Sequence, residues 1–216
     1  MKITAPKISD SVPTEYDIMK LIRTAGENDR PVSGVRFKDL WLESEDISYL
    51  SFENVIFENC RICDCDFEKT SFTDAVFDKC DFSNNDFNGS YFCRCDFNSG
   101  KLVGSQFRDV IIKEMSLKAT SMTYAVMSDC RISSAQMLSC DLSNAEIIKC
   151  SLKAFSVSSC RFAGVSFFGT PLGGIDFSDS LLTGIKVSEG FRELKNAVVS
   201  AEQAAELALL MGIKIK

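Results

Sequence analysis

Apolar residues recur at every fifth position along most of this chain. From Phe37 to Val187, each fifth residue is Phe, Leu, Ile, Met or Val at 31 consecutive positions in one frame. An α-helix repeats about every 3.6 residues and a flat strand every two, so neither keeps all these side chains on one buried side. A chain that turns a corner every five residues does, and so short a unit must stack on its neighbours to bury a core. The pattern therefore predicts an all-β solenoid.

The residue two positions before each apolar centre provides a second inward position, and most residues there are small. One large and one small inward residue in every five would fill a narrow square interior. Glu45 and Asn85 are polar residues at this small inward position, where a buried polar group needs a partner. We expect Asn85 to bond backbone groups, and Glu45 to mark an irregular coil where the N-terminal cap docks.

Several five-residue segments resemble the consensus of the pentapeptide repeat family. They are CDFEK (65–69), CDFSN (80–84), CDFNS (95–99) and CDLSN (140–144). The resemblance covers about residues 35–189 and implies a right-handed quadrilateral β-helix with four pentapeptides per coil. Residues one coil apart would then stack, which predicts two aromatic columns and a stiffer N-terminal half. The columns are Phe37, Phe57, Phe77 and Phe97, and Phe52, Phe72 and Phe92.

Ten cysteines raise the question of disulfides or metal, and the register of the repeat favours neither. Eight of the ten occupy the small inward position, where a buried thiol acts as a compact hydrophobe, and only Cys63 and Cys93 fall at outward positions. The chain contains no histidine, the commonest partner of cysteine in zinc sites, and no histidine base for a nucleophile. We therefore predict no metal, no cofactor and no enzymatic activity.

The ends of a solenoid must be capped. Residues 1–34 are predicted to form an N-terminal cap, in which Thr14 caps a short helix carrying Ile18, Leu21 and Ile22. Residues 35–189 form the β-helix, and 190–216 form a C-terminal helix and tail. Ser200 and Gln203 fit a capping box, Gly212 suits the position after the helix, and residues 213–215 could add an edge strand.

The C-terminal helix is more apolar than a lone surface helix requires. Leu207, Leu210 and Met211 are its candidate contact residues, either with the last coil of the same chain or with a second copy. The tail VVSAEQAAELALLMGIKIK resembles the dimerisation element of Qnr-type pentapeptide repeat proteins, and with the opening MKIT it is most similar to those of Gram-positive bacteria. The unbroken register would place the chain with members that lack loops. The resemblance implies a homodimer, DNA mimicry, binding to a type II topoisomerase (DNA gyrase or topoisomerase IV) and an influence on fluoroquinolone sensitivity.

Charge is unevenly distributed along the repeats. Residues 35–100 contain 14 acidic and 6 basic residues, a net charge of −8, whereas residues 101–189 carry 8 acidic and 9 basic residues, a net charge of +1. With coils about 4.8 Å apart, the acidic segment carries roughly one net charge per 2 Å of rise, against one per about 1.7 Å in duplex DNA. Such a rod would be repelled by nucleic acid, so direct DNA binding is disfavoured.

Acidic residues one coil apart would form columns on the outside of the rod. Asp46, Asp66 and Asp86 form the longest, Glu58 and Asp78 form a shorter one, and Asp64 and Glu68 lie between them. These seven residues are the candidate partner-binding residues. Acidic outward positions also serve solubility, so an interaction scaffold with an unrelated partner is the alternative. The chain has no apolar run long enough to cross a membrane and its N-terminus does not read as a signal peptide, so we expect a cytoplasmic protein.

Overall fold

The chain winds into a parallel β-solenoid of about seven turns with two short helices, which confirms the predicted quadrilateral β-helix. The structure is a computed structural model and describes residues 3–9, 12–28 and 30–215. In chain order the elements are β1 (Thr14–Glu15), α1 (Ile18–Asn28), β2 (Val32–Lys38), β3 (Trp41–Glu43), β4 (Ser51–Glu58), β5 (Arg61–Cys63), β6 (Ser71–Asp78), β7 (Tyr91–Asn98), β8 (Gln106–Arg108), β9 (Ile111–Lys118), β10 (Val126–Ser128), β11 (Arg131–Leu138), β12 (Glu146–Ile148), β13 (Ser151–Ser158) and α2 (Ala201–Leu210).

Each strand pairs in parallel with the equivalent strand of the next coil, as four pentapeptides per coil require. Phe57 pairs with Phe77, and Ile62 with Leu42, in two of the sheets. The largest sheet has the order β1-β2-β4-β6-β7-β9-β11-β13, with smaller sheets β12-β10-β8 and β3-β5. We name the four sides of the rod by the centres they carry: face A has Phe57 and Phe77, face B Ile62 and Phe82, face C Phe67 and Phe87, and face D Phe52 and Phe72.

Both predicted phenylalanine columns are present in the core. On face A, the ring centroids of Phe57 and Phe77 lie 5.1 Å apart with an interplanar angle of 1°, and those of Phe77 and Phe97 are 4.1 Å apart. On face D, the rings of Phe72 and Phe92 stack at 5.2 Å. Stacked rings bury large apolar areas and add aromatic contacts. A third column, which was not predicted, lies on face C, where the ring centroids of Phe67 and Phe87 are 5.0 Å apart and those of Phe87 and Phe107 are 5.1 Å apart.

The core changes character beyond Phe97, where Met, Ile and Leu replace most of the rings. A small apolar cavity of about 20 Å³ lies at this transition. Its lining includes Phe97, Met115, Met122, Met127 and Met137. Flexible methionines fill irregular space less specifically than stacked rings do. The greater stiffness of the N-terminal half stays a prediction.

The corners of the coils require a left-handed backbone. At the second position after a centre, residues such as Asp64, Lys69 and Ala154 have φ values of +56°, +53° and +47°. This region is strained for most side chains. Backbone hydrogen bonds between neighbouring coils (ladder bonds) hold these corners. For example, the Lys69 N–H donates to the Asn88 carbonyl of the next coil at 2.8 Å. The stacked coils therefore impose the left-handed conformation.

The N-terminal cap contains the predicted helix, but Thr14 does not cap it. Thr14 lies in β1 and pairs with Arg36 of the first coil. The side chain of Asp17 accepts the N–H of Lys20 at 3.0 Å and so caps α1 in its place. Ile18 and Ile22 are buried against the core, and Leu21 is partly buried. Residues 3–9 run along the corner between faces D and A, where Ser9 N–H donates to Asn54 Oδ1 (3.0 Å), Lys7 N–H to Asp74 Oδ1 (2.8 Å) and Thr4 Oγ1 to Glu114 Oε1 (2.6 Å).

Polar residues of the interior find partners. Asn85 is fully buried; its Nδ2 donates to the carbonyls of Ile62 and Phe82, and its Oδ1 accepts the Cys65 N–H at 2.8 Å, as predicted. Glu45 is only half-buried at the first coil. The ten cysteines are all free and buried, including Cys63.

Cys63 and Cys93 occupy outward positions, as their register predicts, but both side chains are buried. Their exposed fractions are 2% and 9% because neighbouring groups cover these short side chains. Cys63 Sγ lies 3.7 Å from the Asp81 carbonyl oxygen, and Arg94 Nη1 lies 3.4 Å from Cys93 Sγ.

The ladder continues past Val187 with its register shifted. In the regular coils the Phe162 N–H donates to the Leu181 carbonyl, whereas the equivalent bond of the last coil, from the Phe177 N–H, reaches further along the chain to the Val198 carbonyl. Glu193 closes this last turn from a buried position: its Oε1 accepts the Gly169 N–H at 2.8 Å, and its Oε2 accepts the Ser188 hydroxyl at 2.9 Å. The boundaries drawn at residues 34 and 189 stay predictions.

The predicted capping box of α2 is present. Ser200 Oγ accepts the Gln203 N–H at 3.2 Å, and Gln203 Oε1 accepts the Ser200 N–H at 2.8 Å. At the other end, Gly212 has a φ of +80° and its N–H donates to the Leu209 carbonyl, while Ile213 N–H donates to Ala208. These two bonds form a Schellman motif. They turn the chain away from the coils, and residues 213–215 form no strand, which corrects that expectation.

Candidate partner-binding face

Asp46, Asp66 and Asp86 stack on face C as one column. Parallel bridges join Asp46 to Asp66 and Asp66 to Asp86. Asp46 and Asp66 are exposed and Asp86 is half-buried. Neighbouring strands lie about 4.8 Å apart, so three carboxylates follow one another at nearly the separation of adjacent coils.

Each of these carboxylates also closes a turn of its own coil. Asp46 Oδ1 accepts from the N–H and the hydroxyl of Ser48 at 3.0 and 2.6 Å, and these bonds hold the pKa of Asp46 below its usual value. Asp66 Oδ1 accepts the Glu68 N–H at 2.7 Å, and Asp86 Oδ1 accepts the Asn88 N–H at 2.8 Å. The same turn occurs on other faces, so the aspartates have a structural role whether or not a partner binds.

Asp64 and Glu68 lie beside this column. Asp64 is exposed at the corner between faces B and C. Glu68 is half-buried next to Asp66, and its Oε1 lies 2.8 Å from Lys69 Nζ. The Lys69 ammonium in turn stands 4.9 Å from the centre of the Tyr49 ring. Part of the Glu68 charge is therefore compensated within the face.

Glu58 and Asp78 lie on face A, which is opposite to face C. Glu58 Oε1 lies 2.6 Å from Lys38 Nζ, and its Oε2 lies 3.2 Å from Arg36 Nη1. The hydrogen bond from Lys38 lowers the pKa of Glu58. The structure thus separates the seven candidate acids into five at face C and two at face A. Lys38 stands one coil before Glu58 in the same column, and this spacing of 20 residues is the signal in the sequence for an ion pair that was not predicted.

Face C carries most of the net negative charge of the acidic segment, −5 of −8. Residues 44–49, 64–69 and 84–89, which make up its first three coils with both corners, contain six acids and one lysine. Face B differs, because Arg61 and Lys101 lie 3.6 and 3.7 Å from Asp81 and form a ladder of alternating charge. We call the first three coils of face C the acidic face.

The C-terminal candidates are divided between the core and the surface. Leu207 is partly buried and packs against the core. Leu210 and Met211 are 43% and 51% exposed, and Ile213 and Ile215 beside them are also exposed. Gln203 anchors α2, since its Nε2 donates to the carbonyls of Phe177 and Ser180 at 2.9 and 2.6 Å.

Two family models match the repeat region of the chain. A model of a pentapeptide repeat region matches residues 90–156, and a model of eight copies of the pentapeptide repeat matches residues 48–84. Both ranges lie within the solenoid described above. The chain is a pentapeptide repeat protein.

Solved structures of QnrB1 share the fold of this chain. A trypsin-treated form of QnrB1, a plasmid-mediated fluoroquinolone resistance protein, is 18% identical with a TM-score of 0.59, and the match covers 86% of this chain and 92% of that one. Full-length QnrB1 is 20% identical with a TM-score of 0.50, covering 84% and 92%. HetL, a pentapeptide repeat protein involved in heterocyst differentiation regulation from Nostoc sp. strain PCC 7120, is 14% identical with a TM-score of 0.49, covering 85% and 93%. No protein among curated sequences matches the chain.

These similarities indicate no enzymatic family. In residues 3–9, 12–28 and 30–215, no group of three or more His, Cys, Asp or Glu side chains is placed to hold a metal ion. Over the same ranges, neither helix has the length and apolar character needed to cross a membrane.

Proposed function

We propose that this pentapeptide repeat protein binds a type II topoisomerase, DNA gyrase or topoisomerase IV, at the surface that otherwise receives duplex DNA. The observation that carries the proposal is the acidic face. Its Asp46, Asp66 and Asp86 carboxylates stand in line on a straight rod, as phosphates follow one another along a nucleic acid strand. A cationic DNA-binding surface would be attracted by this field and guided to it.

Two further observations support the proposal. Like charges stacked at coil spacing repel one another, so the three carboxylates destabilise the column electrostatically. A bound cationic partner would relieve this repulsion. The N-terminal segment 3–9 runs along the opposite corner, between faces D and A, and leaves the acidic face uncovered. The fold likeness to QnrB1, a fluoroquinolone resistance protein, adds support from outside the chain. The proposal requires a cytoplasmic location, where these enzymes act.

The test is a supercoiling assay with purified gyrase, with and without a fluoroquinolone, and a parallel decatenation assay with topoisomerase IV. The variant carries Asp46→Asn, Asp66→Asn and Asp86→Asn. Asn can still accept the turn hydrogen bond through its Oδ1, so the variant should fold as the parent does. We expect about tenfold more of the variant to be needed for the same effect, and the effect of the parent to weaken with rising salt.

A matched control removes three charges from the same kind of turn on other faces. Asp81, Asp141 and Asp176 each accept the N–H two residues on, at 3.1, 2.9 and 2.9 Å. Changed together to Asn, they should leave the activity near that of the parent. Equal loss in both triple variants would mean that overall charge matters and this face does not. A parent without effect on either enzyme would favour the alternative, an interaction scaffold for an unrelated protein.

We also propose that two copies pair through the C-terminal end. The exposed apolar side chains of Leu210 and Met211, with Ile213 and Ile215 next to them, form a solvent-exposed apolar patch. Such patches often mark protein–protein contacts. A two-fold contact is the commonest way for one chain to cover such a surface, and it would place the acidic faces at the two far ends of a longer rod. Leu207→Asp with Leu210→Asp should give monomers in light scattering. A parent that is already monomeric at micromolar concentration would contradict the pairing.

A further inference from the structure

The C-terminal half of face C carries exposed apolar side chains where the N-terminal half carries acids. The column that begins with Asp46, Asp66 and Asp86 continues through Gln106, Val126, Glu146 and Ser166 to Lys186. The neighbouring column, which holds Ser48 and Glu68 in the first coils, holds Ile148 and Phe168 in the later ones. Residues 124–129, 144–149 and 164–169 contain two acids and one lysine, including exposed Glu146 and Lys149. The surface therefore changes along the rod from strongly acidic to nearly neutral with exposed aromatic rings.

Two aromatic side chains dominate this second half. Phe168 is 50% exposed and Tyr124, at the corner between faces B and C, is 62% exposed. Half-buried Val126 and Ile148 lie between them along the rod. Glycines 164, 169 and 184 stand at the corners around Phe168, and the Lys149 side chain lies beside Gly169 on the preceding coil. We call Tyr124, Val126, Ile148 and Phe168 the apolar patch.

The coil architecture does not require these residues. At the position of Phe168, other coils carry Ser48, Ser128 and Ser188. At the position of Tyr124, the first coil carries Ser44. Half-exposed aromatic rings contribute little to the stability of a fold, whereas aromatic anchors often dominate protein interfaces.

We propose that face C is a single docking surface of two parts, in which the acidic face attracts a basic protein surface and the apolar patch anchors it. The inference rests on the proposed function and specifies the partner contact further. The centres of the two parts are four coils apart, roughly 19 Å at 4.8 Å per coil. The partner is therefore a protein with an apolar pocket about that distance from its basic patch. A partner that recognised the rod purely as a DNA duplex would need no such pocket.

Charge complementarity and apolar burial respond differently to salt, and this difference provides the test. Screening shortens the electrostatic range from about 10 Å at 0.1 M salt to about 3 Å at 1 M, and it leaves the burial of rings in place. We would measure the affinity of purified gyrase for immobilised protein at about 0.1 M and about 1 M salt. The variants are Tyr124→Ser with Phe168→Ser, the Asp46/Asp66/Asp86→Asn triple, and Leu138→Ser as control.

Leu138 is a suitable control because it is 44% exposed on face A, opposite to the patch. We expect the double serine variant to bind about tenfold more weakly or worse at both salt concentrations, with the salt dependence of the parent retained. The triple asparagine variant should lose most of the salt dependence and keep the residual binding at high salt. Leu138→Ser should bind within about twofold of the parent, and equal thermal unfolding of all variants checks their folding.

Each outcome supports or overturns the inference. A double serine variant that binds as tightly as the parent overturns the apolar anchor and leaves the proposed function standing. The apolar anchor is also overturned if Leu138→Ser weakens binding as much as the double serine variant does, because the loss of affinity would then not be specific to the apolar patch. A parent that binds neither gyrase nor, in the same measurement, topoisomerase IV overturns the proposed function, and the inference with it.

Discussion

Replacing Phe77 by Ala tests whether stacked rings are the main support of the N-terminal coils. Phe77 is 1% exposed. Its ring stacks on Phe57 and Phe97 at 5.1 and 4.1 Å, and it meets Phe72 and Phe82 edge-on at 5.4 and 5.2 Å. The substitution removes the ring from all four contacts at once.

The expected cost follows from burial and from the rigidity of the surroundings. A buried Phe→Ala change costs about 3–5 kcal/mol, and the cost is greatest where the site cannot collapse onto the cavity. Coils above and below Phe77 are fixed by ladder bonds, with Phe57 and Phe97 paired directly to its strand position. We therefore expect about 4 kcal/mol or more in the free energy of unfolding. Phe77→Leu keeps most of the burial but loses the ring contacts, and should cost about 1–2 kcal/mol.

The assay is equilibrium unfolding in urea followed by far-ultraviolet circular dichroism and by the fluorescence of Trp41, the single tryptophan. Trp41 lies in the first coil and reports on the N-terminal half of the rod. Phe168→Ala is the control, because its half-exposed ring should contribute less than about 0.5 kcal/mol. A cost below about 1 kcal/mol for Phe77→Ala would refute the stacked-ring account of the core.

Three further substitutions test the polar contacts of the interior and the last coil. Asn85→Ala removes the bond partner of the Cys65 N–H and of the Ile62 carbonyl, while the Phe82 carbonyl keeps its bond from the Ser105 hydroxyl. The change should cost about 2–4 kcal/mol in urea unfolding, whereas a near-neutral result would contradict the role of the amide. Burial raises the pKa of Glu193, but the hydrogen bonds that its carboxylate accepts from Gly169, from its own backbone and from Ser188 outweigh burial and lower the pKa below the usual 4.5. The ionised carboxylate therefore contributes its full stabilisation above pH 4.5, and this stabilisation is lost as the pH falls through the lowered pKa. Thermal melts from neutral to acidic pH should therefore show a smaller acid loss for Glu193→Gln than for the parent, and identical profiles would contradict the assignment. Gln203→Ala should speed amide hydrogen exchange throughout α2 and cost about 1–3 kcal/mol, while unchanged exchange would show that α2 is held by other contacts.

Regular features of the solenoid could be predicted because each residue's environment is repeated every coil. The period of five assigned Phe57 and Phe77 to the core and to one column, and both are present there. The partners of Asn85 followed from the same logic, since a polar residue at a small inward position faces backbone groups of the neighbouring coil. The capping box at Ser200 is likewise a local pattern, and it was confirmed.

Features that depend on contacts between distant segments were missed or wrong. Thr14 was assigned to a helix cap, but pairing with Arg36 draws it into the largest sheet and leaves the cap to Asp17. Ile213 was assigned to an edge strand, but its N–H completes the Schellman motif. Cys63 is covered by the next coil although it points outward.

The candidate site shows the same division. The stacking of Asp46, Asp66 and Asp86 was predicted from their spacing, because in a solenoid sequence distance converts directly into height. The ion pairs of Glu58 with Lys38 and Arg36 were not predicted, because an ion pair depends on the conformations of long side chains. Whether the acidic face binds a partner stays a prediction.

The sequence by itself determined the solenoid and the acidic end of the rod, because only stacked coils bury a strict period of five. The four-sided coil, and with it the register of the aromatic columns, was implied by the resemblance of the repeats to a known family. The tertiary structure alone decided which charges are paired, which outward side chains are covered, and where the two ends leave the ladder. It also decided the corner conformations: the left-handed backbone at Lys69 and Ala154 is unfavourable for an isolated chain. The hydrogen bonds of the stacked coils impose it, and such bonds form only once the neighbouring coil is in place.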